Sequence, residues 1–292
     1  MTGGAFRRAL LGSKKLNRSR IGNFFIFFMV ALFAVYSLMP MVLTVSQSLK
    51  PMSELFLFPP RFFVRNPSLE NFRVLFELAG NTQVPFTRYI FNTIFITVVG
   101  TAGHVVIASM CAYPLAKHNM PGRTFIFVLI VYSLMLQSAV TDIVNYQTMT
   151  WLNWLDTYYA VLIPAFGASL GMYIMRQFMT QIPDTLLEAA RIDGAGEIRI
   201  LWTIVMPNVK PAWLTLSVFS FQGLWNGTHA TYIYREQLKS LPYALNQIVQ
   251  SGIARAGAAA SVAVLMMVVP IGFFILTQSN IIETMASSGL KE

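Results

Sequence analysis

Charged residues and cysteines are both scarce in this chain. Only 11% of its 292 residues are charged, whereas soluble domains carry roughly 25%. A water-soluble globule of this size needs more polar surface than so few charges can supply. The single cysteine, Cys111, cannot form an internal disulfide. The composition therefore argues against a soluble enzyme, a disordered chain and a disulfide-rich secreted scaffold.

Apolar residues dominate what is present. They make up 55% of the chain, with 23 Phe and 16 Met, and the mean hydropathy is +0.57. Apolar runs of about 20 residues are long enough to cross a bilayer as helices. We therefore predict an all-α integral membrane protein. Its six predicted spans are residues 21–45, 89–115, 125–144, 158–179, 209–225 and 258–277.

Basic residues are distributed unequally between the two sides of this topology. If the N-terminal segment is cytoplasmic, 13 Lys and Arg face that side and eight face the other, the asymmetry typical of membrane proteins. We therefore expect both termini in the cytoplasm. The same topology accounts for the net charge of +9 without a nucleic-acid partner. The cytoplasmic set is Arg7, Arg8, Lys14, Lys15, Arg18, Arg20, Lys117, Arg123, Arg176, Arg191, Arg199, Lys210 and Lys291, and the external set is Lys50, Arg61, Arg65, Arg73, Arg88, Arg235, Lys239 and Arg255.

The sequence shows no motif for chemistry of its own. No Gly-x-x-x-x-Gly-Lys-[Ser/Thr] phosphate loop is present. His104, His118 and His229 do not have the spacing of metal ligands, and nothing resembles a nucleophile elbow. We therefore expect a chain that is not an enzyme, without a catalytic residue, a metal site or a cofactor.

The segment 181–208, between the fourth and fifth predicted spans, has the turn and cap residues of a folded loop. Thr185 followed by Glu188 has the spacing of a capping box, which predicts a helix that begins at Thr185. Pro183 restricts the residue before it and separates this helix from the fourth span. From these residues alone, an amphipathic linker at the membrane surface and a docking element are both open.

The end of this helix and the return to the membrane are also marked. Gly194 and Gly196 suit the left-handed turn that terminates a helix. A second short helix is predicted from 197 to 205, ending at Pro207. The result is a helix, a glycine corner and a return helix between two spans.

These residues carry a family resemblance. Glu188-Ala189-Ala190, three residues, Gly194, nine residues and then Ile204-Val205-Met206-Pro207 resembles the EAA signature of permease subunits in ATP-binding-cassette importers. The form Glu-Ala-Ala-Arg-Ile-Asp-Gly-Ala is similar to the carbohydrate branch, the maltose-importer type. Met206 departs from the family, which usually has Leu there. The similarity extends over about residues 20–292.

The resemblance implies the type I importer permease fold and a coupling helix that sits in a cleft of a separate ATPase subunit. Closure of the ATPases would move this helix and swing spans four and five. Glu188 would then reach a basic partner, although a simple cap is the alternative. Arg191 and Asp193 have a second interpretation as ion-paired surface residues. The residues implied in coupling are Thr185, Glu188, Ala189, Ala190, Arg191, Asp193, Gly194 and Pro207.

The resemblance also implies the partners and the location. They are a second permease subunit in a heterodimer, two ATPase subunits that carry ATP and Mg, an extracytoplasmic solute-binding protein and a sugar, with an oligosaccharide favoured. The location is a bacterial or archaeal cell (inner) membrane. Residues 1–20 form a basic N-terminal segment and 21–292 one permease domain, with its core at about 88–280. A permease for a non-sugar solute and a secondary transporter are the alternatives.

Two of the predicted spans carry polar residues at helical spacing. Because polar groups at membrane depth usually face protein or water, these stripes could line a sugar path. Hydrogen bonding between helices is the alternative. The first stripe is Gln137, Thr141, Asn145 and Thr148, and the second is Thr215, Phe219, Gln222 and Asn226.

Overall fold

The computed structural model describes residues 20–80, 84–250 and 256–288, and helices dominate this part of the chain. Residues 1–19 of the predicted basic segment, Arg255 and Lys291 lie outside the described residues. In chain order the α-helices of the described residues are α1 Arg20–Ser48, α2 Met52–Leu55, α3 Glu70–Gly80, α4 Phe86–Lys117, α5 Arg123–Met135, α6 Ser138–Trp151, α7 Tyr159–Phe166, α8 Ser169–Thr180, α9 Asp184–Ile192, α10 Glu197–Ile200, α11 Met206–Asn208, α12 Lys210–Asn226, α13 Leu241–Val249 and α14 Ala256–Ser288.

Four helical segments of the described chain are long and apolar enough to cross a membrane. They correspond to the first, second, fourth and sixth predicted spans. A fifth segment qualifies if the bent pair α5 and α6 is one span. The four segments are Ile21–Ser48, Phe86–Lys117, Tyr159–Thr180 and Ala256–Ser279.

The third and fifth predicted spans differ from the helices that the structure shows. The third, residues 125–144, is broken in two: α5 and α6 meet at a bend of 109°, where Leu136 and Gln137 between them have extended backbone with ψ of 133° and 138°. The fifth corresponds to α12, which has 17 residues and is about 25 Å long at 1.5 Å per residue. That is short for a bilayer core of about 30 Å. The count of six spans stays a prediction.

Helix α4 lies at the centre of the bundle and packs against α7, α8 and α12. Small residues allow the close approach: a Cβ added at Gly103 would lie 2.2 Å from the Phe166 ring, and one at Gly171 would lie 2.3 Å from His104 Nε2. Buried His104 contacts Ser220 Oγ at 3.0 Å and the Ala168 carbonyl at 3.1 Å. It therefore joins α4 to α12 and to the junction of α7 and α8.

The largest apolar core lies where the Lys117 end of α4 meets the loop after α8. The side chains come from α4, α8, α9, the return segment and α12, so this loop is packed into the core of the bundle. The fully buried members include Ala112, Met175, Met179, Leu187, Ile200, Val205, Ala212 and Leu216.

Candidate coupling loop

Helix α9 begins at Asp184, one residue earlier than predicted. Pro183 occupies the N-cap position with φ −61° and ψ 133°, and the cap has no side-chain hydrogen bond. The predicted capping box of Thr185 and Glu188 is therefore wrong. Because Pro183 has the N-cap position, Thr185 lies inside the first turn, where its hydroxyl cannot act as the cap.

The first turn of α9 is attached to α4 by Lys117. The ammonium group donates to Asp184 Oδ1 at 2.8 Å and also to the carbonyl of Ile182. A longer bond of 3.5 Å reaches the carbonyl of Thr180, the last residue of α8. Lys117 lowers the pKa of the Asp184 carboxyl through this hydrogen bond and its charge. One cation thus stabilises the end of one helix and the start of the next.

The last turn of α9 is closed by Gly194. This residue has φ +81°, and the chain forms the paired bonds of a Schellman motif, from Ala195 N to Ala190 O and from Gly194 N to Arg191 O, both 3.0 Å. The predicted left-handed turn is confirmed at Gly194. It is wrong at Gly196, which has φ −72° and ψ 159° and is the N-cap of α10.

Glu197, at the start of α10, connects three elements, a role that sequence reasoning missed. Its carboxylate accepts hydrogen bonds from Tyr113 Oη at 2.7 Å and Arg191 Nε at 2.8 Å. His118 Nε2 lies 3.4 Å away. The hydrogen bond from Arg191 and then that from Tyr113 lower the pKa of Glu197. The ion-paired interpretation of Arg191 is therefore confirmed, with Glu197 as its partner.

The side chains of α9 divide into an inner and an outer face. Leu187 and Ala190 are buried in the core cluster. Thr185, Glu188, Ala189 and Ile192 are exposed at spacing i, i+3, i+4 and i+7, which is one helical face. We call these four residues the outer face. Ala189 points outwards and Ala190 inwards, so the two alanines of the signature serve different surfaces.

The outer face is unusual in carrying an exposed apolar side chain beside a free acid. Ile192 is 86% exposed and Ile198, just beyond the corner, is 72% exposed. Within the described chain, the Glu188 carboxylate takes part in no hydrogen bond or ion pair. Asp193 is the exposed C-cap residue.

The return segment is more irregular than predicted. Helix α10 is followed by a π-helical turn, Leu201–Val205, and by α11, so Pro207 lies inside α11 and the helix ends at Asn208. The predicted end at Pro207 is wrong because the widened turn before it accommodates a residue without an N–H. The break falls at Val209, with φ −100° and ψ 27°.

The two polar stripes have different outcomes. Gln137 lies in the link between α5 and α6, so it does not share a helical face with Thr141, Asn145 and Thr148, and that stripe is wrong as drawn. The second stripe lies along one face of α12, with Phe219, Gln222 and Asn226 exposed. Its amides are partly occupied, since Asn226 Nδ2 donates to the Gln222 carbonyl at 2.9 Å. A cavity of about 320 Å³ beside it is lined by Phe219, Gln222, Pro270 and Phe273.

The fold is that of a helical membrane protein with a short helix, α9, set between two apolar helical segments. Residues 19–285 match the family described as "Binding-protein-dependent transport system inner membrane component", and the chain belongs to this family. The resemblance seen in the signature is thereby confirmed.

Several curated relatives are similar over part of their length. Protein LplC of Bacillus subtilis is 33% identical over 61% of this chain and 57% of its own length. The sn-glycerol-3-phosphate transport system permease protein UgpE of Yersinia enterocolitica is 36% identical over 50% and 52%. The arabinooligosaccharides transport system permease protein AraQ of Halalkalibacterium halodurans is 29% identical over 68% and 70%. The chain thus spans little more than half the length of the first two.

A solved structure supports the fold over nearly the whole chain. A chain in the crystal structure of a bacterial ABC transporter involved in the import of the acidic polysaccharide alginate aligns with a TM-score of 0.74. The alignment covers 91% of this chain and 99% of that chain at 22% identity. The predicted importer-permease fold is confirmed at this level, and the family is that of a translocation subunit.

Proposed function

We propose that this chain is the permease subunit of an ATP-driven, binding-protein-dependent importer of an oligosaccharide. Family membership supports the importer. The names of AraQ and of the alginate transporter support a sugar chain as the substrate. UgpE, named for sn-glycerol-3-phosphate, represents the non-sugar alternative. The observation that carries the proposal is the outer face of α9, which is exposed while both ends of the helix are fastened to the bundle.

The outer face docks into a cleft of a separate ATPase subunit. Ile192 supplies the apolar contact and Glu188 a charge for a basic partner side chain. Ala189 lacks a long side chain and so permits close approach. Gly194 and Pro207 act at a distance, by shaping the exit from α9 and the return to α12. Arg191 and Asp193 lie at the end of the helix, where Arg191 is already held by Glu197.

The remaining parts of the importer follow from the same reading. A second permease completes the path, two ATPase subunits bind ATP and Mg, and a solute-binding protein delivers the sugar outside the cell. Both termini are cytoplasmic, which the basic asymmetry supports, and the complex lies in a bacterial or archaeal inner membrane. The exposed face of α12, with Phe219, Gln222 and Asn226, contributes to the path, and Thr141 and Asn145 of α6 are weaker candidates.

The test is ATP hydrolysis and uptake by the complex reconstituted in vesicles. Hydrolysis should rise when the sugar-loaded binding protein is added. Glu188→Lys should reduce that stimulation while basal hydrolysis persists, because it opposes a basic partner and places a cation in the first half of α9. Glu77→Lys, at an exposed position of α3 where Glu77 pairs with Arg73 of the same helix, is the control charge reversal and should leave the stimulation unchanged.

A different energy source would overturn the proposal. If uptake continues in cells that lack the ATPase subunits and stops when the proton or sodium gradient is dissipated, the chain is a secondary transporter. Uptake of a non-sugar solute by an intact ATP-driven complex would instead replace the substrate and keep the mechanism.

A further inference from the structure

The last two turns of α4 contact the coupling loop at the start of α9 and just beyond its end. Lys117 holds the first turn of α9 through Asp184. One helical turn earlier, Tyr113 holds Glu197, which lies beyond the glycine corner. Two contacts at separate points fix both the position and the direction of α9 relative to α4.

Both contacts are made by buried parts of α4. The Lys117 side chain is 5% exposed and Tyr113 is 4% exposed. His118 supports the second contact from two sides, since its ring packs edge-on against Tyr113 with centroids 5.3 Å apart and its Nε2 approaches Glu197. Arg191 ties the end of α9 to the same carboxylate at 2.8 Å. The carboxylates are more exposed, at 74% for Asp184 and 45% for Glu197, so the buried side chains of α4 fix the geometry of both contacts.

Helix α4 is itself the most connected helix of the bundle. It packs on α8, α12 and α7, and Arg176 of α8 donates to the Leu115 carbonyl at 3.2 Å. A displacement of α9 is therefore passed to the bundle centre directly, and not only along the chain into α8 and α12.

We propose that Tyr113 and Lys117, with Glu197 and Asp184, form a two-point clamp that makes α4 move as one body with the coupling helix. This inference rests on the proposed ATP-driven function. It adds α4, the second span, to the helices that move with the coupling helix. The signature implies such movement only for the spans that flank the loop. The four residues are positioning residues, because none of them lies on the outer face.

The chain offers a matched control for this clamp. Tyr89, at the other end of α4, donates to Glu236 at 2.7 Å, the same bond that Tyr113 makes to Glu197. Tyr113→Phe and Tyr89→Phe each delete one oxygen from the same helix. Only Tyr113→Phe should change the amount of sugar imported per ATP hydrolysed.

The readout is the amount of sugar imported per ATP hydrolysed by the full complex, with co-purification of the ATPases as a second measurement. Tyr113→Phe should lower this ratio roughly three- to tenfold, the range for the net loss of an ordinary hydrogen bond. Tyr89→Phe should leave the ratio unchanged, and both variants should keep the ATPases bound because the outer face is intact. Glu197→Gln should lower the ratio less in a chain that already carries Tyr113→Phe than it does in the wild type, because both changes remove the same contact.

Different outcomes separate the clamp from the function on which it rests. If the wild type shows ATP-driven uptake and Tyr113→Phe imports as much sugar per ATP, the clamp is wrong. Equal losses in Tyr113→Phe and Tyr89→Phe would also overturn it, because the effect would then be general destabilisation. If the wild type shows no ATP-driven uptake, the proposed function is wrong.

Discussion

At its Phe86 end, α4 is held mostly by hydrogen bonds to backbone groups, with Tyr89 adding a bond to the Glu236 carboxylate, whereas its Lys117 end is held at two separate points by carboxylates. Asn92 donates to the carbonyls of Gln237 and Lys239, both at 2.9 Å, and Thr93 accepts from Leu241 N at 2.7 Å. Lys117 and Tyr113 instead bind carboxylates. The first end is a fixed attachment to a loop of the same chain. The second connects to a surface that we propose to be pushed by a partner.

Gly194→Val should have the largest effect on the Lys117 end. The φ of +81° is unfavourable for a β-branched residue, although nothing lies within 4 Å of an added Cβ. Strain of about 1–3 kcal/mol should therefore displace the α9 exit, and uptake should be lost while the spans remain inserted.

Gly196 provides the control for this change, because it is equally open but has φ −72°. Gly196→Ala should transport like the wild type, and Gly194→Ala should be impaired. Similar uptake by both alanine variants would show that the left-handed turn is not needed. Sugar accumulation in cells, with immunoblots for membrane insertion, checks both.

Asn92→Leu should instead weaken the attachment of α4 at its Phe86 end. Asn92 is fully buried and also accepts from Tyr158 Oη at 2.8 Å. Leaving buried partners unpaired costs about 1–3 kcal/mol, so the thermal midpoint of the purified complex should fall. Sugar imported per ATP should stay near the wild-type value in the molecules that remain folded. A low ratio in this variant would remove the distinction between the two ends.

Acid should loosen the Lys117 end through Asp184 and Glu197. Their pKa values are lowered in the folded protein, so their contribution to stability is present above the unfolded values of about 4. It is lost as the pH falls through the lower folded values. Hydrogen exchange of 184–197 should therefore accelerate below about pH 4. Burial raises the pKa of Glu236, but the hydrogen bonds from Lys239 and Tyr89 lower it, and the net shift is downward. The Phe86 end should therefore also loosen in acid.

Salt should have the smallest effect and should separate the two ends. Asp184 and the Arg191–Glu197 pair are exposed enough for screening, which is strong at about 1 M salt. Exchange of 184–197 should rise modestly, while that of 237–241 should rise less, because the Glu236–Lys239 pair there is more buried, with side chains 28% and 12% exposed, and backbone hydrogen bonds are largely insensitive to ionic strength. Equal acceleration of both segments would contradict the contrast.

The parts that sequence reasoning predicted are those with local causes. Apolar runs determine α1, α4 and α14, and a left-handed turn requires a residue such as Gly194. Glu197 was missed because its partner Tyr113 lies 84 residues away. An acid shortly after the glycine corner was the only signal. The break at Leu136 and Gln137 was missed because an apolar run shows length but not direction.

The choice of cap at α9 was missed for a different reason. Thr185 and Glu188 have the right spacing, but Pro183 had already set the start of the helix one residue earlier. Both signals are local, and Pro183, whose φ is restricted by its ring, determines where the helix begins. The path residues remain the least predictable part, because the second permease that we propose would decide which exposed faces line the path.

The most direct test of the account is a distance between α4 and α9 in the working complex. Cys111 is the single cysteine of the chain, lies on α4 and is exposed, so a spin label there can be paired with one at Thr185→Cys on the outer face. If the clamp holds, the distance between the labels is the same without nucleotide and with ATP bound. Tyr113→Phe should broaden the distribution, and Tyr89→Phe should not. A distance that changes on ATP binding in the otherwise unmodified chain would show that the coupling helix moves without α4, and the account would be wrong.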